Sequence, residues 1–151
     1  QGCEFAANWV ITEQFILGGY LSWSDQTYTL NRLNEDCAEL ITDGNQIDTA
    51  PAWLANGSLT WVPNDALTLQ VSANYVGEYF TNAANTAEYP GHLVANLRAS
   101  YQFDNALESF IIVRNLTDEL YADRADFAFG NERYFPGEPL NVTFGIKKRF
   151  N

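Results

Sequence analysis

Apolar and polar side chains alternate along most of this 151-residue chain. From Leu93 to Phe103 every odd position is apolar, whereas the even positions include Asn96, Arg98 and Gln102. Successive side chains of a β-strand point to opposite faces, so a period of two predicts a strand with one apolar and one polar face. The sequence therefore predicts a sheet that separates two different solvents.

The predicted turns agree with a single apolar face. Three short turns, at 12–14, 62–66 and 104–106, would place Ile11 opposite Phe15, Trp61 opposite Leu67, and Phe103 opposite Leu107. All six partners are odd-numbered and apolar. Because a slip of one residue turns every side chain over, this agreement predicts one continuous antiparallel sheet. After a long loop the last segment alternates again, but here the even-numbered residues form the mainly apolar face. These are Leu140, Val142, Phe144, Ile146, Lys148 and Phe150.

Seven strands are predicted in this way, and their connections are unequal. The strands run from Gly2 to Ile11, Phe15 to Ser24, Ala52 to Trp61, Leu67 to Phe80, His92 to Phe103, Leu107 to Tyr121 and Glu138 to Phe150. The connections at one end are tight, whereas those at the other end, 26–50, 81–91 and 122–137, are long and polar. Short turns on one side and long loops on the other are typical of an all-β, antiparallel, up-and-down outer-membrane barrel. A soluble barrel or sandwich alternates in the same way, so both classes stay open here.

An odd number of strands cannot close such a barrel. In a seven-stranded meander the first and last strands run in the same direction, and in hydrocarbon each unpaired backbone group would cost several kcal/mol. The chain also begins in mid-pattern and contains no Met. We therefore expect it to be the tail of a longer protein.

Composition excludes several functions. With 19 acidic and 8 basic residues the formal net charge is −11, which argues against nucleic acid as a partner, because phosphate binding needs a basic surface. His92 is the single histidine, so the chain alone cannot build a histidine-based metal or catalytic site. No nucleophile with a neighbouring base and no phosphate-binding glycine loop is found, so we expect neither an enzyme nor a bound cofactor.

Four short segments resemble one protein family. The run RNLTDELY (Arg114 to Tyr121) resembles the penultimate-strand motif of TonB-dependent outer-membrane receptors, with Asn115, Leu116, Asp118 and Tyr121 as the motif residues. The final strand PLNVTFGIKKRF resembles the last strand of that family, and Phe150 its aromatic assembly signal. NYVGEYF and GCEFAANW are similar to two strands that precede these in the family.

The resemblance implies a 22-stranded barrel that is plugged by a globular N-terminal domain, with residues 1–151 forming about the last seven strands. It implies an outer-membrane location and TonB-coupled uptake of a scarce nutrient, most often a ferric siderophore, with cobalamin or an oligosaccharide still open. The implied partners are the receptor's own plug domain and remaining strands, the TonB complex, the barrel assembly machinery, lipid and lipopolysaccharide, and a small-molecule ligand. Two alternatives remain: a small passive or structural outer-membrane barrel with an eighth strand inside 26–50, and a soluble ligand-binding barrel with a buried apolar face.

The connection 122–137 is the predicted ligand-binding segment. Aromatic and arginine side chains at the mouth of a barrel suit the capture of a small molecule. The candidate residues are Arg124, Phe127, Phe129, Arg133 and Tyr134.

Two arginines in the middle of strands predict a polar patch inside the barrel. A cation on the lipid side of the bilayer midplane would cost roughly 2 to 4 kcal/mol, so Arg98 and Arg114 are expected to face the lumen, together with Asn96 and Glu108. The patch would contact the plug or an anionic ligand, or form an ordinary solvated wall with ion pairs. Lys148 is the one charge on the predicted lipid face, and its position near a strand end lets it reach the headgroups.

Two further features of the long connection 26–50 stay open. Its acidic residues, Glu35, Asp36, Glu39, Asp43 and Asp48, are opposed by Arg32 alone; their spacing fits no ordered calcium loop and favours a solvated surface. Cys3 and Cys37 would form a disulfide in an oxidising periplasm only if a strand and a loop tip come together.

Overall fold

A computed structural model describes residues 1–33, 39–40, 42–103 and 106–150 of the chain. Seven long strands form one antiparallel sheet, in which neighbours in space are also neighbours along the chain. They are β1 (Gly2–Val10), β2 (Phe15–Ser24), β5 (Trp53–Trp61), β6 (Leu67–Val76), β9 (His92–Gln102), β10 (Leu107–Arg114) and β13 (Asn141–Lys148). Three short hairpins lie in the connections: β3 (Arg32–Leu33) with β4 (Glu39–Leu40), β7 (Tyr79–Phe80) with β8 (Glu88–Tyr89), and β11 (Ala122–Ala128) with β12 (Asn131–Pro136).

The sheet is an open meander whose edges are β1 and β13, which confirms the predicted up-and-down topology and the predicted lack of closure. Strand β3 pairs with β4 and not with the large sheet. The described part of 26–50 therefore provides no eighth strand for a small closed barrel. No helix in the described residues is long and apolar enough to cross a membrane.

The strand register confirms the predicted faces but corrects one turn. Trp9 lies opposite Leu17, as predicted. Trp61, however, lies opposite Leu69 and not Leu67. The reason is local: the side-chain oxygen of Asn64 accepts hydrogen bonds from the backbone N–H groups of Ala66 and Leu67, both at 3.0 Å, and this widens the turn. Since the shift is two residues, every side chain keeps its face.

The two faces of the sheet differ as the alternation predicts. Large apolar side chains on the odd-numbered face of the first six strands, and on the even-numbered face of β13, are exposed; they include Phe5, Trp9, Leu17, Leu21, Trp53, Leu59, Val71, Leu93, Tyr101, Val142, Phe144 and Ile146. An exposed apolar band of this size fits contact with lipid. The alternative of a soluble barrel required this face to be buried, and the structure leaves it uncovered.

The opposite face carries the charges of the sheet. Glu4, Arg98, Glu108, Arg114 and Lys147 all lie on it, whereas Lys148 lies on the apolar face, with its Nζ 5.4 Å from the centre of the Phe150 ring at the strand end. Phe110 is an apolar exception on the polar face. Its ring lies across the backbone of Gly145, where an added Cβ would come within 2.2 Å of the ring, so a larger residue at this position would have to displace the ring.

Three predicted strands end earlier than expected. The strand predicted to reach Tyr121 ends at Arg114, because Asn115 and Asp118 have φ values of 49° and 52°, a left-handed conformation that a strand cannot contain. The strand predicted to reach Phe80 ends at Val76: Gly77 still donates to the carbonyl of Trp53 at 2.8 Å, and the chain then leaves the sheet to form β7. The last strand is also shorter, since it covers Asn141–Lys148.

The described parts of the three long connections are joined by hydrogen bonds and form one unit, the loop cluster, within residues 25–33, 39–40, 42–52, 77–91 and 115–140. Thr49 N–H donates to the carbonyl of Phe80 at 2.8 Å, and Phe127 N–H donates to that of Thr81 at 2.9 Å. The buried apolar core of the described residues also lies here, around Tyr79, Tyr89, Ala122 and Ala125. Two of these connections are therefore built around packed hairpins, β7–β8 and β11–β12.

The orientation of the wall can be tested with two adjacent positions on β5. A nitroxide at Leu59 should be reached by oxygen dissolved in the bilayer, whereas one at Ser58 should be reached by a water-soluble nickel complex, because the two side chains point to opposite faces. The measurement is power-saturation spectroscopy of the protein in lipid bilayers. Equal accessibility at both positions would contradict a wall between lipid and a polar lumen.

Candidate ligand-binding site at the loop end

The β11–β12 hairpin carries the residues predicted to bind a ligand. Its tip is Phe129-Gly130, with φ values of 54° and 78°. Two successive positive φ values define a type I′ turn, the two-residue turn that suits the twist of a hairpin. The pairs Arg124 with Phe135 and Asp126 with Arg133 lie on one face, and Ala125 with Tyr134 and Phe127 with Glu132 lie on the other.

Asp126 holds two arginines on the first face. Arg133 Nε donates to one carboxylate oxygen at 2.7 Å, and Arg124 Nη2 lies 2.6 Å from the other. The Asp126 side chain is 7% exposed, whereas those of Arg124 and Arg133 are 62% and 42% exposed. The hydrogen bond from Arg133, and then the positive charges of both arginines, lower the pKa of Asp126. The carboxylate therefore fixes two guanidinium groups whose remaining N–H donors are accessible.

Aromatic rings flank the same guanidinium groups. The Arg124 guanidinium carbon lies 5.6 Å from the centre of the Phe135 ring, and that of Arg133 lies 5.9 Å from the centres of both Phe129 and Phe135. Phe129 is 87% exposed. We call this surface the arginine face: Arg124, Phe129, Arg133 and Phe135 around Asp126.

The second face of the hairpin packs on the tyrosine core. Ala125 N–H donates to the Tyr79 hydroxyl at 2.8 Å, and Ala122 N–H donates to the Tyr89 hydroxyl at 3.0 Å. Burial raises the pKa of Tyr79. The Tyr134 ring lies 6.4 Å from that of Tyr89, and its hydroxyl donates to Glu132 at 2.6 Å, which raises the pKa of Tyr134.

The five predicted residues are thus divided between two surfaces. The structure brings Arg124, Phe129 and Arg133 together and places Phe127 and Tyr134 on the other face. Sequence reasoning missed Asp126 as their anchor and Phe135 as their aromatic neighbour. The Phe-Gly pair between two alternating segments was the available signal, because a two-residue turn there sets which side chains share a face.

The motif residue Asn115 fixes the base of this loop. It is 1% exposed, and its side-chain amide donates to the carbonyls of Glu119 and Glu138 at 2.9 and 3.0 Å while accepting from Glu119 N–H at 2.8 Å. Its own N–H donates to Asn96 Oδ1 at 3.0 Å. Asparagine tolerates the left-handed backbone found here, which explains the residue type. One side chain therefore joins the end of β10 to the approach to β13.

The other motif residues strengthen this junction. Asp118 accepts a hydrogen bond from Leu140 N–H at 3.0 Å, and the Tyr121 hydroxyl accepts one from Glu138 N–H at 3.2 Å. The Tyr121 ring lies so close to Gly137 that an added Cβ would come within 2.2 Å of it. Leu116 N–H donates to the carbonyl of Ala95 at 2.7 Å, although its side chain is exposed.

The predicted lumen patch is present in part. Asn96, Arg98 and Arg114 line one groove of about 300 Å³ with Gln70, Ser72 and Ile112. Glu108 is not in it: the register places Glu108 between Gln102 and Lys147, with Phe110 between it and the arginines. A second groove of about 240 Å³ shares Asn96 and Arg114 and leads toward the loop cluster, where Glu138 Oε1 lies 3.7 Å from Arg114 Nη1.

The acidic connection gives no metal centre among the residues that the structure describes. No group of three or more His, Cys, Asp or Glu side chains in that part of the chain has the geometry of a metal site. Asp48 accepts a hydrogen bond from the Tyr28 hydroxyl. Glu35, Asp36 and Cys37 lie outside the described residues, as do the side chains of Arg32 and Glu39. Cys3 is exposed in β1. Because Cys37 lies outside the described residues, the structure does not test a pairing between the two cysteines.

Comparison with known proteins identifies the family. The model of the family described as "TonB dependent receptor-like, beta-barrel" matches residues 1–117, and the chain belongs to this family of outer-membrane proteins. No sequence among curated proteins matches the chain.

Solved structures share the fold. The siderophore receptor PiuA of Acinetobacter baumannii has a TM-score of 0.80 and 19% identity, over 97% of this chain and 21% of that one. The ferric yersiniabactin uptake receptor FyuA of Yersinia pestis has a TM-score of 0.80 and 14% identity, over 99% and 23%. The ferric-catecholate import receptor Fiu of E. coli K12 has a TM-score of 0.76 and 21% identity, over 99% and 20%. The chain thus spans about a fifth of the length of these receptors.

Replacement of Asn115 by Ala should loosen the loop cluster. Loss of the amide would leave the N–H and carbonyl of Glu119 and the carbonyl of Glu138 without a partner, at a cost of about 2 kcal/mol or more. Trypsin should then cut faster at Arg124 and Arg133 in intact outer membranes. Thr117→Ala, at an exposed neighbouring position, is the matched control; equal cleavage of both variants would contradict the structural role of Asn115.

Acid should loosen the β11–β12 hairpin through Asp126. Because folding lowers its pKa, Asp126 contributes stability above its ordinary pKa of 3.8, and this contribution is lost as the pH falls through the lowered value. Amide hydrogen exchange over residues 122–136, corrected for intrinsic rates, should lose protection between about pH 5 and about pH 2.5. In Asp126→Asn protection should be lower at both pH values and nearly independent of pH. The same pH dependence in that variant would point to another group.

Proposed function

We propose that this chain forms the carboxy-terminal part of the barrel of an outer-membrane receptor that imports a scarce nutrient by TonB-coupled transport. Family membership and the fold shared with three receptors support this role. In this proposal the receptor's remaining strands close the barrel, a plug domain fills it, and the barrel assembly machinery inserts it through the last strand, with Phe150 as signal. Lipid and lipopolysaccharide surround the apolar face.

The proposed ligand is a ferric siderophore, and the arginine face is its contact within this part of the barrel. The observation that carries this assignment is the pair of exposed guanidinium groups fixed by Asp126 and flanked by Phe129 and Phe135. Iron chelates present rigid sets of oxygen atoms, which accept hydrogen bonds from guanidinium groups. Their organic frames can pack on aromatic rings. Because Asp126 already orders both arginines, little conformational entropy is lost on binding.

The acidic composition of the long connections limits the distance over which these arginines attract a ligand. Of the 19 acidic residues of the chain, 14 lie in the sequence ranges 25–52, 77–91 and 115–140, so the connections around the arginine face are acidic in composition. Its attraction for a ligand is therefore of short range, through hydrogen bonds and ring contacts, and not through an extended positive field. A ligand of low net charge fits this site better than a highly charged anion.

The substrate is tested by growth. A strain that lacks the complete receptor should fail to grow on one or more ferric siderophores as the sole iron source, and the receptor gene should restore growth. Normal growth of the deletion strain on all iron sources, with a defect on cobalamin or on a glycan instead, would overturn the siderophore assignment while leaving the receptor role in place.

Substitutions on the two faces of the β11–β12 hairpin test which surface contacts the ligand. Phe135→Ala and Arg124→Gln should each weaken binding of the ligand that growth identifies, by about tenfold, because each removes a central aromatic or arginine contact. Phe127→Ala is the matched control, since it removes the same kind of ring from the opposite face. Titration calorimetry on the purified receptor measures the three constants. A larger loss in Phe127→Ala would show that the other face meets the ligand.

A further inference from the structure

Three polar side chains of the apolar face lie together at the turn end of the sheet. Along the seven long strands this face carries one charged side chain, Lys148, and one aliphatic hydroxyl, that of Ser109. The register places Ser109 between Tyr101 on β9 and Ile146 on β13, and Lys148 is two residues beyond Ile146. Apart from Tyr75 near the loop end, the charged and hydroxyl groups of this face are therefore concentrated at one place.

None of these three groups has a polar partner in the part of the chain that the structure describes. Lys148 forms no ion pair there, and its Nζ lies 5.4 Å from the centre of the Phe150 ring. The hydroxyls of Ser109 and Tyr101 form no hydrogen bond with the same residues. The apolar face of the seven described strands also carries no carboxylate. A charged side chain on a membrane-facing surface without a protein partner indicates a partner from outside the chain.

An apolar notch lies directly beside the polar groups. It has a volume of about 170 Å³, and the small side chains of Ala99 and Ser109 contribute to its lining. Larger side chains of the apolar face surround it: Leu67, Tyr101, Ile111 and Phe144. Ile111 lies opposite both Ala99 and Phe144, so the notch extends from the row of Ser109 toward the middle of the strands. A space of this size and chemistry accommodates a short stretch of an acyl chain.

The order of these features along the strands matches that of a phospholipid. The short turns of an outer-membrane barrel lie on the periplasmic side, so this end of the sheet meets the inner leaflet. The rows of Lys148, Ser109 and Ile111 follow one another toward the middle of the sheet, roughly 7 Å apart along the strands. The phosphate, the ester groups and the acyl chains of an inner-leaflet lipid follow one another in the same direction.

We propose that Lys148, Ser109, Tyr101 and the adjacent notch form a binding site for one anionic phospholipid of the inner leaflet. The Lys148 ammonium and the two hydroxyls donate to the phosphate and ester oxygens, and one acyl chain lies in the notch. Charge complementarity selects the headgroup, because an unpaired ammonium on a face without carboxylates attracts a lipid of net negative charge. Lysine suits this position, since its flexible stem carries a strongly hydrated point charge to the membrane interface. The site depends on the contact of the apolar face with lipid and is independent of which ligand is imported.

Photo-cross-linking with a lipid probe tests this site. The purified protein is placed in bilayer nanodiscs that contain phosphatidylglycerol with a photoreactive diazirine on one acyl chain, close to the ester. Mass spectrometry of the digested protein should find lipid on the peptides that contain residues 99–101 and 107–111. Unlabelled phosphatidylglycerol should compete about fivefold better than phosphatidylcholine with the same acyl chains, which is the factor expected for one lysine beside an anionic lipid.

Two neighbouring lysines provide a matched pair of variants. Lys148→Gln should lower the labelling of these peptides about fivefold, whereas Lys147→Gln, which removes the same charge from the polar face, should leave it unchanged. Equal labelling in the two variants would overturn the inference, because net charge alone would then explain the effect. Equal competition by the two lipids would also overturn it and would show that the notch takes an acyl chain with any headgroup. The competition measurement uses the unmodified protein, so it decides the question where Lys148→Gln does not fold.

Discussion

The ladder of hydrogen bonds between neighbouring strands is the constraint on which the rest of this structure depends. Within hydrocarbon no water can satisfy a backbone N–H or carbonyl, so each strand must pair on both sides and the side chains must alternate between lipid and lumen. The seven strands pair along the order of the chain, with uninterrupted registers that run up to ten residues. The compact apolar core that the sheet lacks is found where the chain leaves the membrane, in the loop cluster.

The same constraint explains the distribution of charge. A cation on the lipid side is tolerated only near a headgroup, and Lys148 occupies such a position beside Phe150. Every other charge of the seven strands lies on the polar face, where Arg114 Nη1 is 3.7 Å from Glu138 Oε1. The long connections, by contrast, are acidic, and there the Asp126 carboxylate forms ion pairs with both Arg124 and Arg133. At the loop end, one carboxylate thus orders two guanidinium groups that remain exposed to solvent.

The faces of the sheet followed from the sequence because alternation is a local property that every strand repeats. Residues 93–103 and 107–113 have the predicted register, with Glu108 opposite Gln102. Predictions failed where a single side chain controls the backbone. Asn64 widened a turn, and Asn115 and Asp118 ended a strand in conformations that periodicity does not encode. In the candidate site, composition indicated the aromatic and arginine residues, but the Phe129-Gly130 turn decided which of them share a face.

The family motif connects the wall of the barrel with the candidate site. Asn115, Asp118 and Tyr121 contribute little to the wall, yet their hydrogen bonds to Glu138 and Leu140 join the end of β10 to the start of β13. Everything between those two points is the connection that carries the arginine face. The hydrogen-bonded strands β10 and β13 fix the two points at which this connection leaves the sheet and returns to it. The motif residues join these two points by further hydrogen bonds. The junction and the hydrogen bonds to the tyrosine core hold the hairpin in place at its base and on one face. The hairpin can therefore present exposed arginine and aromatic side chains in a fixed arrangement.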